Sequence, residues 1–270
     1  MDSSDAALPD VPSPALVWRN GPANLGLNGN AVHVWRIPLS VSSDRMDALK
    51  ILLSSDETCR IERARSQQVK RRFLISRGIL RELLARYLGT EPAEIKFKYN
   101  AHGKPSLDDE HASWSLKFNL SHSGDLALVA VAVGRDIGVD VEYCRAGSVG
   151  DRMRVARRYF STSEYTFLDR LPVEDRVDSF YRLWTCKEAF IKATGLGLTV
   201  PLSSFDIDLE DSIRPVLVAD EGGGNTNQWI LQHLVPGEGY AGAVAVNGRD
   251  LSVSCWQWST YALAERRPLL

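Results

Sequence analysis

The sequence predicts an α+β fold of two pseudo-twofold-related subdomains, each a small, mainly antiparallel sheet packed with a long helix. Three observations carry this expectation. One order of elements, in which short and long helices are followed by strands, is readable twice along the chain. The run Ala127-Leu128-Val129-Ala130-Val131-Ala132-Val133-Gly134 has an echo in Ala241-Gly242-Ala243-Val244-Ala245-Val246-Asn247-Gly248. The length, 270 residues, suits one large domain or two smaller ones.

The elements follow in order. Residues 1–28 are rich in Asp, Ser, Pro, Gly and Asn and read as a flexible tail. The first half, 29–137, opens with a strand over 32–37 and a short helix over 44–53. A long helix follows over 65–88, with Phe73, Leu80, Leu83, Leu84 and Tyr87 at helical spacing. Gly89 caps it and Pro92 prevents continuation. Ile95, Phe97 and Tyr99 alternate, as do Trp114, Leu116 and Phe118, and 126–133 is a nearly continuous apolar strand. Asn100-Ala101-His102-Gly103 supplies a turn, and Asn119 to Gly124 reads as a second, polar one. The second half, 138–262, opens with a strand in which Ile137, Val139 and Val141 alternate with Asp140 and Glu142. Ser161-x-x-Glu164 is a capping box for a short helix, and a longer helix over 175–194 stops at Gly195. Strands are expected over 205–209, 229–234, 241–246 and 251–258, before a short tail, 263–270.

Composition narrows the function classes. The chain is 44% apolar and 24% charged with net charge −2, and no apolar run approaches a membrane span. Cys59, Cys144, Cys186 and Cys255 form no CxxC pair, which disfavours a zinc site or a disulfide framework and suits a reducing compartment. The first residues lack an apolar secretory core and carry Asp2, Asp5 and Asp10, so a cytoplasmic protein is expected over a mitochondrial one. Charge is uneven, however. Between Arg60 and Lys104 there are twelve Lys/Arg against four Asp/Glu, and Arg152, Arg154, Arg157 and Arg158 form a second cluster. Such patches attract phosphates, nucleic acid or acidic proteins, or are simply solvated helix faces.

Period-2 geometry sends Asp140 and Glu142 to one face of their strand. Glu188 and Lys192, four apart on a helix, are neighbours. Three converging carboxylates would seat Mg²⁺, which keeps few protein ligands and shares its shell with substrate phosphates. Each feature also has a plainer reading: an outward polar strand face, a helical ion pair, a satisfied turn histidine at His122, solvent-facing Arg71 and Arg72. A metal-dependent nuclease would use the same residue types, but a net charge of −2 counts against nucleic acid as a partner. A non-catalytic binding adaptor that carries the same residues is the third alternative.

Four segments in order, Gly103-Lys104-Pro105, Ser121-His122-Ser123, Gly138-Val139-Asp140-Val141-Glu142 and Trp184 through Lys192, make the chain resemble the 4′-phosphopantetheinyl transferases of the larger, monomeric surfactin-synthetase-activator type. The resemblance covers roughly 30–260 and implies Mg²⁺-dependent transfer of the phosphopantetheine arm of coenzyme A to a serine of apo acyl or peptidyl carrier proteins, releasing 3′,5′-ADP. It implies Asp140, Glu142 and Glu188 as metal ligands, Glu188 as the base toward serine, and Lys192 as stabiliser of the leaving phosphate. It further implies His122 and Ser121 at the 3′-phosphate, with Lys104, Arg60, Lys187 and one of Arg71 and Arg72 among the coenzyme A contacts. Glu57 stands where some relatives carry a basic residue. The arginines from Arg152 to Arg158 are a candidate docking face for an acidic carrier.

Overall fold

A computed structural model of the chain describes residues 16–22, 24–108, 115–144, 147–209, 215–220 and 228–259. The first half runs β1 (Arg19–Asn20), β2 (Ala31–Pro38), α1 (Ser43–Ile51), α2 (Ser55–Arg63), α3 (Gln67–Leu88), β3 (Phe97–Tyr99), β4 (Pro105–Leu107), β5 (Leu116–Ser123) and β6 (Leu126–Val133). The second runs β7 (Ile137–Tyr143), α4 (Val149–Tyr159), α5 (Thr162–Arg170), α6 (Val173–Thr194), β8 (Phe205–Asp208), β9 (Val216–Asp220), β10 (Trp229–Leu234) and β11 (Tyr240–Asn247), followed by β12 (Ser252–Gln257). From β2 to β6 and from β7 to β11 the element order is the same. Strand order repeats too, as β2-β6-β5 in one sheet and β7-β11-β10 in the other. The alanine-valine echo falls on β6 and β11, the middle strand of each trio.

Several local expectations need correction. Asn119 to Ser123 is strand, not turn, pairing from Asn119 opposite Ala130 to Ser123 opposite Leu126. Helix α2 was passed over in the sequence, although its capping box of Ser54 and Glu57 marks its start. The last strand forms, but β12 leaves the second half and runs parallel to β2, with Cys255 opposite Val34. Part of the expected N-terminal tail lies on the fold: β1 pairs with β12, and the Trp18 indole donates to the Val235 carbonyl at 2.7 Å. Trp114, residues 1–15 and the tail 263–270 lie outside the described residues.

The layers run helix, sheet, sheet, helix. Helix α3 lays Ile79, Leu80 and Leu83 on Trp35, Ile37, Val129 and Val131. The other face of that sheet, Val32, Val34, Leu128 and Ala130, meets Val139, Val141, Val244 and Val246 of the second sheet. Helix α6 then closes the far side, with Ala189 and Ala193 near Ala241, Ala243 and Ala245. Both long helices span 22 residues and end at a left-handed glycine, Gly89 (φ 66°) and Gly195 (φ 72°), a conformation that costs glycine little.

The halves also share an internal ion pair. Glu57, from the α2 capping box, meets Arg81 of α3 at 2.8 Å; Glu164, from the α5 capping box, meets Lys187 of α6 at 2.8 Å. Each cation also donates to two carbonyls: Arg81 to Pro92 and Ile95, Lys187 to Leu202 and Phe205. This accounts for an acid at Glu57 and corrects the expectation for Lys187. Its side chain is 0% exposed and its donors are committed, so it braces α6 and does not reach coenzyme A. Breaking a buried pair by removing one partner typically costs about 3–5 kcal/mol. Lys187→Met should therefore lower the melting temperature markedly in a thermal scan, while coenzyme A affinity of the folded protein, read by calorimetry, stays unchanged.

Candidate active site

The site lies where α6 crosses β7. A side chain at Gly138 would strike the helix backbone, its Cβ falling 2.1 Å from the Ala189 carbonyl oxygen and 2.3 Å from the Ala193 nitrogen. The absence of that atom lets the strand run close beneath the helix. The alternation read from the sequence holds: Ile137, Val139 and Val141 enter the core between the sheets, and Asp140 stands on the α6 side. There Lys192 Nζ donates to Asp140 Oδ1 at 2.5 Å. Asp140 is 2% exposed, and its second oxygen, Oδ2, is buried with no hydrogen-bond partner.

Burial, and then the charge of Asp140, push the carboxyl groups of both Glu188 and Glu142 above the ordinary value. Glu142 adds to the effect on Glu188, Lys192 opposes it, and Ser123 and Trp184 steady Glu142 by hydrogen bonds. Three acids from two elements thus repel one another across a short space. Among the described residues no three acids, histidines or cysteines are gathered closely enough to form a ready-made cation cage. The donor set still fits Mg²⁺: it is all oxygen, it includes the orphaned Asp140 Oδ2, and Mg²⁺ completes its shell with water and substrate phosphate.

Beside the acids the character turns basic. His122, exposed on β5, has its pKa lowered by partial desolvation and, more weakly, by the charges of Lys192, Arg72 and Arg77, against a backbone hydrogen bond that raises it. The Arg71/Arg72 pair divides. Arg71 turns away, donating to the Val41 carbonyl at 2.7 Å, whereas Arg72 reaches Asp125 at 3.1 Å on the hairpin that carries His122. Arg77 was missed in the sequence. It is 6% exposed, its Nη1 has no hydrogen-bond partner, and its guanidinium lies over Phe73, Phe97 and Tyr99. An arginine set between the apolar pairs Leu74-Ile75 and Ile79-Leu80 was the available signal, because a buried cation needs a reason.

Lys104 lies across the halves, donating to the Ile137 and Ala193 carbonyls at 3.1 and 3.0 Å. It thereby satisfies a free carbonyl at the α6 C-terminus, where a cation is favoured. Burial lowers its pKa to about 8. Arg60, exposed, stacks over Phe73 at 5.2 Å and lines a cavity of about 600 Å³ with Arg63, Tyr99, His102 and Gly103. His102 and Gly103 also border a cavity of about 210 Å³ lined by Lys104, Asn119 and Lys192. The cluster Arg152 to Arg158 sits on α4, where Arg152 covers Tyr181 and Arg158 covers Tyr159.

Comparison with known proteins identifies the family. A family model described as the 4′-phosphopantetheinyl transferase superfamily matches residues 136–245, and one described as 4′-phosphopantetheinyl transferase, N-terminal, matches 40–134. The chain is 42% identical to the 4′-phosphopantetheinyl transferase HetI of Nostoc sp., over 89% of this chain and 98% of that protein. It is 30% identical to the 4′-phosphopantetheinyl transferase Sfp of Bacillus subtilis, over 63% of this chain and 72% of that one. The human L-aminoadipate-semialdehyde dehydrogenase-phosphopantetheinyl transferase is 32% identical over 50% of this chain and 46% of its own length.

Proposed function

We infer the reaction from one premise: the chain belongs to the 4′-phosphopantetheinyl transferase family and is an enzyme of that activity. It transfers the 4′-phosphopantetheine arm of coenzyme A to a serine of an apo carrier protein. In our reading the serine oxygen attacks the phosphorus that bears pantetheine, the bond to the bridging pyrophosphate oxygen breaks, and 3′,5′-ADP departs. Glu188 takes the serine proton, directly or through water. A carboxylate positioned beside the attacking hydroxyl is a sufficient base for it. Lys192 stabilises the charge gathering on the departing oxygen. Asp140, Glu142 and Glu188 would hold Mg²⁺, which would supply charge neutralisation at the pyrophosphate.

What supports the phosphate end of this reading is the buried Arg77, whose Nη1 has no hydrogen-bond partner, with Arg72 held to Asp125 on the hairpin that carries His122. We assign the 3′-phosphate to that locus and count Arg60 among the further coenzyme A contacts. The doubled element order supports a pseudo-twofold relation of the halves, and we read the enzyme as a cytoplasmic monomer. No described helix is long and apolar enough to cross a membrane.

The direct test incubates the protein with coenzyme A, Mg²⁺ and an apo carrier. Mass spectrometry should show the carrier heavier by one phosphopantetheine arm, and an unmodified carrier would remove the reading. His122→Ala should raise KM for coenzyme A about tenfold, a loss of the order of one charge-assisted hydrogen bond. Dephospho-coenzyme A, which lacks the 3′-phosphate, should be affected little. Equal losses for both would move the 3′-phosphate elsewhere.

A further inference from the structure

Strands β5 and β7 lie side by side across the seam between the halves, yet they belong to different sheets and share no backbone ladder. Side chains at every second position of β5 take its place. Asn119 Oδ1 accepts the Val139 N–H at 2.9 Å. Ser121 donates to Asp140 Oδ1 at 2.8 Å, and Ser123 donates to Glu142 Oε2 at 2.8 Å while accepting the Tyr143 N–H at 3.1 Å. From this seam we propose that Ser121 is a positioning residue for the transfer, setting through Asp140 and Lys192 which carboxylate oxygen stays open to the ligand.

The geometry is a closed triangle. Lys192 Nζ donates to Asp140 Oδ1 at 2.5 Å and to Ser121 Oγ at 3.0 Å, and Ser121 donates to the same Oδ1. Both donors therefore engage one oxygen, and Oδ2 is left buried without a partner. Without the Ser121 hydroxyl nothing distinguishes the two oxygens. The carboxylate can turn about its Cβ–Cγ bond and present both to the three-donor ammonium, closing the position that Oδ2 holds open. The resemblance had assigned Ser121 to the 3′-phosphate together with His122. Alternation along β5 sends the two side chains to opposite faces, and the Ser121 hydroxyl is already committed within the acid site. The proposal rests on the transferase reading and reassigns this one residue within it.

The test compares the full-length wild type with Ser121→Ala and Ser121→Thr. Transfer is followed by the mass of the carrier, and coenzyme A affinity by calorimetry without divalent ion. Groups that orient metal-site ligands typically contribute about 10–100-fold to activity. Ser121→Ala should lose kcat by that factor with coenzyme A affinity unchanged, and Ser121→Thr, which keeps the hydroxyl, should transfer faster than the alanine variant. An affinity that falls in step with kcat/KM would return Ser121 to the phosphate and overturn the proposal, as would an unchanged kcat or a threonine variant no faster than alanine. A wild type that never modifies the carrier sinks the transferase reading itself; an active wild type with an equally active alanine variant sinks only this inference.

Discussion

Glu188→Gln should cut transfer about 10²–10⁴-fold, the usual contribution of a positioned base, and yet leave the protein at least as stable as the parent. The two halves of this result come from the same electrostatics. Burial and the charges of Asp140 and Glu142 raise the Glu188 pKa against the pull of Lys192, so the ionised carboxylate is less favourable in the folded chain than in the unfolded one. For an acid with a raised folded value, the folded state binds the extra proton, and stability falls as pH climbs from the ordinary carboxylate range through the folded value. At neutral pH the ionised group is thus a burden on the fold, and glutamine removes its charge at nearly constant shape. The melting temperature without divalent ion should match or exceed that of the parent, and coenzyme A affinity should persist. A variant that transfers at the parental rate would remove Glu188 from the chemistry. One that is inactive but melts well below the parent would show that Glu188 serves the fold.

That trade between charge and stability was legible in part. The alternation of Asp140 and Glu142 with aliphatics, and the four-residue step from Glu188 to Lys192, are short-range patterns, and they hold because strand and helix periods are local properties. Helix ends at Gly89 and Gly195 were readable for the same reason. What the chain did not reveal depends on partners far away in sequence. Lys187 sits in the motif beside Glu188, but one step along a helix turns a side chain by about 100°, here from the acid site into the core beside Glu164. The Ser121 hydroxyl points where it does because β7 happens to adjoin β5 without a ladder. The return of β12 to the first sheet depends on which edge is open after the halves have packed. Arg77 announces itself only as a charge out of place, and the rings of Phe97 and Tyr99 beside it come from another element, β3.

Gly138→Ala should be severely damaging for a change of one carbon. Gly138 needs no unusual backbone angle; what it needs is space, because the missing Cβ would lie 2.1 Å from one backbone atom of α6, 2.3 Å from a second and 2.9 Å from the Lys192 carbonyl carbon. A flexible side chain could yield, but these are main-chain atoms of a 22-residue helix braced by the buried Lys187–Glu164 pair, with Lys104 and Asn100 bonded to its C-terminal carbonyls. Overpacking a tight core costs about 1–3 kcal/mol, occasionally more, and this contact belongs at the upper end. The helix must lift from β7, and the 2.5 Å Lys192–Asp140 pair lies within one turn of the clash. Denaturant unfolding should show a loss of ~3 kcal/mol, and the surviving folded fraction should transfer poorly even with coenzyme A and Mg²⁺ in excess. Gly89→Ala is the matched control: nothing lies within 4 Å of its Cβ, so its φ of 66° sets the penalty, about 1–2 kcal/mol, with transfer per folded molecule unchanged. If the two variants lost equal stability and equal activity, close approach at Gly138 would not be what holds α6 against the acids.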